Sequence, residues 1–231
     1  MKILAIDTST IAASAAVMDE DKLCGEFMTD LKLKHSEKLM FLIDGLLENL
    51  RMNINDIDAF ACGKGPGSFT GLRIAAAAVK GLAQPGNKPI IGVSSLAACA
   101  YAQISREDEC IIPIFDAQRE EVYTGIYTHD RTGFSCIAPD CIRNAEEYFA
   151  SLEEKGGKYI FCGDGVLKYM EMIKSQLGEK AAFSGNELLM PRASMVASLA
   201  LRQFEEGQHD NYQTFMPEYI RGTDAQVFIK K

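Results

Sequence analysis

The amino-acid sequence predicts an α/β protein made of two related halves. Short apolar segments in the first 29 residues have the length and spacing of three consecutive strands joined by tight turns. A strand, a glycine-rich turn and a helix follow at residues 57–83. After residue 108 a strand–polar turn–strand unit recurs, and then a second strand–glycine turn–helix unit. The chain is therefore predicted to repeat one α/β module.

The first half contains five predicted strands and two predicted helices. Apolar runs of strand length indicate the strands, and apolar residues spaced three and four apart indicate the helices. Asp7 to Thr10 marks the first turn, where Asp and Thr side chains can bond their own backbone and cap it. The strands are Lys2–Asp7, Ile11–Met18, Lys22–Thr29, Ile57–Cys62 and Ile90–Val93, and the helices are His35–Arg51 and Thr70–Ala83.

The second half is predicted to begin near residue 108, where the polar end of a helix meets a new strand. We assign residues 1–107, completed by residues 192–231, to the first domain, and residues 108–191 to a smaller second domain. The tail, with Pro217, Lys230 and Lys231, is expected to pack against the first half or a partner. The predicted elements are strands Ile111–Phe115, Glu121–Thr128 and Lys158–Cys162, a helix running from the Gly163–Gly165 turn to Leu177, and a helix at Ala193–Glu206.

The composition is that of an ordinary globular protein, with 47% apolar and 24% charged residues. A formal net charge of −8 argues against the chain acting alone on nucleic acid, which basic grooves bind, and suits a protein that meets a more basic partner. The seven cysteines include no Cys-x-x-Cys pair, which indicates reduced thiols and a cytoplasmic location. We expect neither a signal peptide nor a membrane span.

The most informative stretch is Gly63–Arg73, between an apolar strand and an alanine-rich helix. Its glycines and a proline force a sharp turn, and Ser68 or Thr70 can cap the helix. Unpaired N–H groups and the helix dipole would make this turn a candidate anion cradle, which Arg73 could reinforce. The segment matches neither the phosphate loop of nucleoside triphosphatases nor the dinucleotide-binding spacing. A tight structural turn and a ligand or partner surface both remain open.

Residues 65–73, Gly-Pro-Gly-Ser-Phe-Thr-Gly-Leu-Arg, resemble the signature of the TsaB (YeaZ) family. Ile-Asp-Thr-Ser-Thr at residues 6–10 and His-Ser-Glu at residues 35–37 also resemble that family, and the detailed match covers the first half of the chain. Ala75 departs from the pattern, because the family usually has glycine there. The resemblance implies a two-domain actin-like ATPase fold (ASKHA, ribonuclease H-like) that is incomplete relative to full-size kinases.

In the actin-like fold the turn after the first strand binds phosphate, so the resemblance also implies a candidate nucleotide or anion site. Its residues would be Asp7, Ser9, Gly65, Gly67, Ser68, Thr70 and Arg73. Asp7, Asp116 and Glu120 could form paired carboxylates if the two halves face each other, although carboxylates in turns are more often solvated caps. We predict no catalytic residue. The sequence also lacks the Gly-x-Ser-x-Gly elbow that presents the nucleophilic serine in many hydrolases.

The first predicted helix has a broad apolar surface. At 100° per residue its leucines, with Met40 and Ile43, span about 160°, whereas one core-facing stripe needs about 100°. Phe41 lies outside even this arc. The excess fits either a helix packed on two sides within its own domain or a second packing partner. The resemblance favours a partner, because the family pairs this helix and the next with another subunit. The candidate interface residues are His35, Leu39, Met40, Phe41, Ile43, Leu47, Ala75, Ala76 and Val79.

The function that the resemblance implies is that of a non-catalytic subunit in N6-threonylcarbamoyladenosine modification of tRNA beside the anticodon. The protein would pair with TsaD, and the two together would recruit TsaE. It would contact tRNA only as part of this complex. In isolation it is expected to form a homodimer. It would need no cofactor of its own, since ATP/ADP and a metal belong to the partner subunits. TsaD holds its metal with two histidines four residues apart, whereas His35 is followed by Leu39.

Two other functions remain open from the residues alone. An independent phosphotransferase would fit the first turn and the glycine turns, and it predicts tight ATP binding by the isolated protein. A peptidase would require a metal or a nucleophile–base pair, and the sequence indicates neither.

Overall fold

The structure is a computed structural model that describes residues 1–20, 22–29, 35–131 and 133–221, and only the backbone of residues 35–38. The predicted role of the His35 side chain therefore lies outside the described part of the chain. So do the predictions for Lys230 and Lys231.

The first half forms a five-stranded sheet. Strand β1 pairs antiparallel with β2 and parallel with β4, and the strand order is β3-β2-β1-β4-β5. Helices α1 and α2 cover one face of this sheet, and α6 covers the other. The strands are β1 (Lys2–Asp7), β2 (Ala13–Asp19), β3 (Lys22–Thr29), β4 (Ala59–Gly65) and β5 (Ile90–Ser94). The helices are α1 (His35–Leu50), α2 (Phe69–Ala83) and, returning from the second half, α6 (Ala193–Glu205).

The second half forms another five-stranded sheet, of order β10-β9-β6-β7-β8. Helices α4 and α5 pack on its outer face. The short helix α3 (Ser95–Tyr101) lies between the two sheets, where Leu96 and Cys99 pack against Ile111 and Phe115. The strands are β6 (Glu109–Asp116), β7 (Glu121–Asp130), β8 (Gly133–Asn144), β9 (Lys158–Cys162) and β10 (Ala181–Phe183), and the helices are α4 (Ala145–Lys155) and α5 (Gly165–Leu177).

The two sheets have the same topology. In each, the first strand is central, the next two pair outward as an antiparallel meander, and the last two add parallel on the other side after helical crossovers. The helices also correspond, since α1 and α4 follow the third strand, α2 and α5 the fourth, and α3 and α6 the fifth. The predicted repetition of one α/β module is confirmed. The domain boundaries at 107 and 191 stay a prediction.

Most predicted elements match the structure to within two residues, and β1, β3 and β9 match at both ends. The second strand was placed too early, because Ile11 is 40% exposed in the turn and β2 begins at Ala13. Among the strands and α-helices, β8, α4 and β10 were not predicted, and the helix expected to end near residue 108 ends at Tyr101 as α3. Strand β8 has no regular alternation in sequence because its pairing with β7 shifts register twice, and it contains Pro139 at one shift.

Candidate functional site

The glycine loop packs directly against the turn between β1 and β2. A Cβ atom at Gly71 would lie 1.8 Å from the carbonyl oxygen of Thr8, and one at Gly67 would lie 2.4 Å from that of Ser9. The Ser68 N–H donates to the Ser9 carbonyl at 2.7 Å, and the Thr8 hydroxyl donates to the Gly71 carbonyl at 2.8 Å. Glycine is therefore required here because two backbone segments approach too closely for side chains.

The polar groups of both turns are largely used within the protein. The N–H and the hydroxyl of Ser9 both donate to Asp7 Oδ1, at 2.9 and 2.7 Å. The Ser68 hydroxyl caps α2 by accepting the Gly71 N–H at 3.3 Å. An anion bound at these turns would need several of the same groups. The contacts therefore favour the structural interpretation of the Gly63–Arg73 stretch over the anion cradle.

Asp7 itself is sealed inside the first half, with 1% of its surface exposed. Burial raises the pKa of this carboxyl to about 6, although the two bonds from Ser9 lower it. A Cβ atom at Gly63 would lie 2.1 Å from Asp7 Oδ2 and 2.7 Å from the Ser95 hydroxyl. Ser95 also lowers the pKa slightly, yet no hydrogen bond of good geometry reaches Asp7 Oδ2 from the described residues. A buried carboxyl with one unpartnered oxygen destabilises the fold when it is charged.

Arg73 does not point into the glycine turn. Its guanidinium lies 3.9 Å from the ring centroid of Phe69, and its Nε donates to the Tyr219 hydroxyl at 3.3 Å. Thr70 is exposed within the first turn of α2 and is not the cap. Arg73 thus fastens the C-terminal segment to the start of α2, a role that sequence reasoning missed because the two residues are 146 positions apart.

A cleft of about 810 Å³ opens between the two halves. Its polar walls include Asp116 and Asp164, and Lys168 donates to Asp116 Oδ1 at 3.0 Å. Burial raises the pKa of Asp164 to about 6. Of Asp7, Asp116 and Glu120, which could have formed paired carboxylates, only Asp116 lines the cleft, since Asp7 is buried and Glu120 is exposed outside it. The three carboxylates therefore do not form a set, and the acid that lies beside Asp116 is Asp164, whose Oδ1 accepts the Asp116 N–H at 3.2 Å.

One wall of the cleft is a strained turn between β6 and β7. Gln118, Arg119 and Glu120 all have left-handed backbones, with φ of 62°, 53° and 60°. Each such non-glycine residue costs about 1–2 kcal/mol. Asp116 supports the turn by accepting the N–H of Gln118 at 3.0 Å and its side-chain amide at 3.1 Å. The turn therefore holds Gln118 and Arg119 at the cleft wall in an otherwise unfavourable conformation.

The first helix uses most of its apolar arc inside the first half. Leu39 and Ile43 are 1% exposed and Leu47 is 7% exposed, because α1 packs on β2, β3 and α2 at once. The three residues of α2 in the candidate interface, Ala75, Ala76 and Val79, are buried as well. The candidate interface residues Leu39, Ile43 and Leu47 are therefore core residues and not open to a partner, and the broad arc reflects a helix packed on two sides.

Other residues give these two helices an apolar outer face. Phe41 is 77% exposed, Met40 is 42% exposed and Phe69 is 39% exposed. Ala77 and Gly81 are exposed along α2. Because α1 and α2 each lead into one of two parallel neighbouring strands, they run in the same direction. We call Met40, Phe41, Phe69, Ala77 and Gly81 the outer face.

Two further observations concern residues 1–20, 22–29, 35–131 and 133–221. Within those ranges, no three His, Cys, Asp or Glu side chains are arranged to hold a metal ion. The helices there are too short or too polar for any of them to cross a membrane.

Comparison with known proteins places this architecture in a family. The family model described as "TsaD: tRNA N6-adenosine threonylcarbamoyltransferase" matches residues 29–228. The tRNA threonylcarbamoyladenosine biosynthesis protein TsaB of Bacillus subtilis is 34% identical over 98% of this chain and 97% of its own. The structure of YeaZ from Pseudomonas aeruginosa is 28% identical with a TM-score of 0.77, covering 94% of this chain and 99% of that one.

A more distant structure supports the fold class alone. The ROK hexokinase from Thermus thermophilus is 12% identical and has a TM-score of 0.50, covering 89% of this chain and 100% of that one. The predicted actin-like ATPase fold is thereby confirmed. Because a full-length relative is 34% identical and the signature residues 65–73 lie where two backbone segments meet, this chain belongs to the TsaB (YeaZ) family.

Proposed function

We propose that this protein is a non-catalytic partner of TsaD in the synthesis of N6-threonylcarbamoyladenosine on tRNA. Membership of the TsaB family supports the pathway, since the relatives are named tRNA threonylcarbamoyladenosine biosynthesis proteins. A scaffolding role is supported by the first turn and the glycine loop, whose polar groups bind each other. The transfer chemistry, the metal and the ATP/ADP site then belong to TsaD and TsaE.

The observation that carries this proposal is the outer face of α1 and α2. Phe41 exposes 77% of its surface on a helix whose inner side is already filled by Leu39, Ile43 and Leu46. A large exposed aromatic side chain offers apolar surface to a partner, and the small exposed residues Ala77 and Gly81 on α2 would let a partner helix approach closely. The outer face is therefore the surface on which TsaD would dock.

Charge supports an indirect contact with tRNA. The net charge of −8 disfavours binding of this chain alone to a phosphate backbone. In the proposed complex tRNA contacts the other subunits, and TsaE joins once this protein and TsaD are paired. This assembly would operate in the cytoplasm, where tRNA is modified.

The same outer face would join two copies of the isolated protein. A two-fold homodimer needs one self-complementary patch, and two apolar helix faces meet that condition. TsaD would compete with the second copy, because both use Phe41 and its neighbours. The homodimer is then a stand-in for the heterodimer.

The proposal can be tested with a charge placed on the outer face. We expect Phe41→Glu to raise the dissociation constant for purified TsaD at least about 100-fold in calorimetric titration, because docking would bury an unpaired carboxylate. The matched control is Ile104→Glu, since Ile104 is 79% exposed in a loop away from α1 and α2. Ile104→Glu should bind as the unmodified protein does. Equal affinity of both variants, with both folded, would contradict the proposed docking face.

A further inference from the structure

The C-terminal residues Met216 to Arg221 cross the mouth of the cleft, and we call this segment the strap. Two of its residues, Glu218 and Tyr219, contact the first half. The Glu218 N–H donates to the Lys64 carbonyl at 2.7 Å, and its carboxylate lies 3.1 Å from Lys64 Nζ. The Tyr219 ring packs on Phe69 with 5.0 Å between centroids, and its hydroxyl accepts from Arg73. The strap is thus tied to the end of β4 and to the start of α2.

The other end of the strap is tied to the second half. Arg221 donates to the Ala117 carbonyl at 2.6 Å and pairs with the Glu121 carboxylate. Ala117 belongs to the strained β6–β7 turn that forms the opposite wall of the cleft. Within six residues, the strap therefore spans both walls, and Glu218, Tyr219, Ile220 and Arg221 all line the cleft.

The strap is held less firmly than the residue before it. Phe215 is 1% exposed in the core of the first half, and its carbonyl accepts from Lys80 Nζ at 3.0 Å. The next residue, Met216, is 72% exposed, and the Lys64–Glu218 pair is exposed to 37% and 62%. Polar contacts between exposed groups contribute little to stability, so local opening beyond Phe215 requires far less free energy than unfolding.

We propose that the strap is a lid over the cleft, hinged at Phe215, and that docking of a partner on α2 releases it. This inference rests on the proposed function, because Phe69 belongs to the outer face and Arg73 lies one turn further along the same helix. A partner that packs on Phe69 or pairs with Arg73 removes the two groups that hold Tyr219. The same contact then both docks the partner and loosens the strap, which keeps only its ties to Lys64, Ala117 and Glu121.

The lid can be tested first on the isolated full-length protein. The Glu218 amide reports directly on closure, because its N–H is bonded to the Lys64 carbonyl. We expect Tyr219→Ala to accelerate hydrogen exchange of this amide by about tenfold, since it removes the contacts with Phe69 and Arg73. Met216→Ala is the matched control on the same segment, and it should leave the exchange rate unchanged. An unchanged rate in Tyr219→Ala would overturn the lid.

The second arm adds purified TsaD at saturating concentration. We expect exchange at Glu218 to increase by about tenfold in the complex while amides of the Phe215 region remain protected. If TsaD binds and exchange at Glu218 stays the same or slows, release by docking is overturned and the proposed function stands. If TsaD does not bind at all, both are overturned. The Tyr219→Ala arm, which needs no partner, separates these failures.

Discussion

The two halves of this protein share one topology and one turn motif, yet they use the motif differently. At the end of β1, Asp7 accepts the N–H of Ser9 two residues on, and at the end of β6, Asp116 accepts the N–H of Gln118 two residues on. Asp7 is sealed by the glycine loop, whereas Asp116 remains partly exposed in the cleft beside Lys168. The comparison shows that one Asp-led turn can serve as internal packing in one half and as a cleft wall in the other.

The helices on the outer side of the two sheets also differ, namely in the side chains that they expose to solvent. Helices α4 and α5 of the second half expose mostly charged side chains, namely Glu146, Glu147, Glu153, Glu154, Lys155, Lys168, Glu171 and Lys174. Their structural counterparts α1 and α2 expose the large apolar side chains Phe41, Met40 and Phe69 beside charged residues such as Asp44, Glu48 and Arg73, whereas Leu167 is the large apolar side chain exposed on α4 and α5. Since the fold is common to both halves, topology does not require these exposed aromatic side chains, which fits the proposed docking of a partner on the first half.

The largest effect is expected from the inner side of α1. Replacing Ile43 by alanine should lower the free energy of unfolding by about 2–5 kcal/mol, because it leaves a cavity in the core between α1 and the sheet. Phe41→Ala on the opposite side should change it by no more than about 0.5 kcal/mol. Urea unfolding of the two variants distinguishes the faces. Similar losses in both would mean that Phe41 also belongs to the core.

A gain in the free energy of unfolding, of similar size, is expected when Asp7 is replaced by asparagine. Its pKa is raised from 3.8 to about 6, so the folded protein holds the proton more tightly than the unfolded chain does. Stability should therefore fall as pH rises from about 4 to about 6 and stay lower above that, by about 3 kcal/mol. Asp7→Asn retains an acceptor for Ser9 and should recover most of this loss at pH 7.5 but little at pH 4. A destabilised variant at pH 7.5 would contradict burial of a charged Asp7.

The glycine loop provides a comparison within a single helix. Gly71→Ala should lower the free energy of unfolding by about 2 kcal/mol, because its Cβ would collide with the Thr8 carbonyl. A Cβ atom at Gly81 would have no other atom within 4 Å. Gly81→Ala should therefore raise the free energy of unfolding by about 0.5–1 kcal/mol through helix propensity. Thermal or urea unfolding would show the two alanines moving stability in opposite directions. A neutral Gly71→Ala would mean that α2 can withdraw from the β1–β2 turn.

The smallest effect is expected at the counterpart of Asp7. Asp116→Asn keeps an acceptor for the Gln118 N–H, but it loses the acceptor for the Gln118 side-chain amide and the ion pair with half-exposed Lys168. Its free energy of unfolding should change by no more than about 1 kcal/mol. A loss as large as that of Ile43→Ala would show that Asp116 is as integral to its half as Asp7 is to the first.

Local patterns in the sequence were sufficient for much of the fold. The β1, β3 and β9 segments are apolar runs with clear turns on both sides, so their bounds could be predicted. The Asp-led turns and the Ser68 cap depend on residues two or three positions apart, and these predictions also agree with the structure. Strand β8 could not be recognised, because its two register shifts place Asp140 inward beneath Ser94 and leave Ile137 exposed.

The candidate site was harder to predict, because it depends on contacts between distant residues. Periodicity showed that α1 has an excess of apolar residues, but only the packing of β2, β3 and α2 decides that Leu39 and Ile43 are internal while Phe41 is free. Asp164 lies between two glycines directly after β9, so its glycine turn was visible in the sequence. Its contact with Asp116 was not, because the second sheet brings β6 and β9 together. The fastening of Arg73 to Tyr219 has no local signal at all.

Site-specific photo-crosslinking tests the central claim most directly. This claim is that a TsaD-type partner docks on the first half through α1 and α2 alone. A p-benzoylphenylalanine in place of Phe41 keeps an aromatic ring on the outer face, and one in place of Leu167 samples α5, the counterpart of α2, where Leu167 is 62% exposed. With TsaD present, irradiation should give a covalent heterodimer from position 41 and none from position 167. A heterodimer from position 167, or from neither position while the complex is intact, would contradict the account.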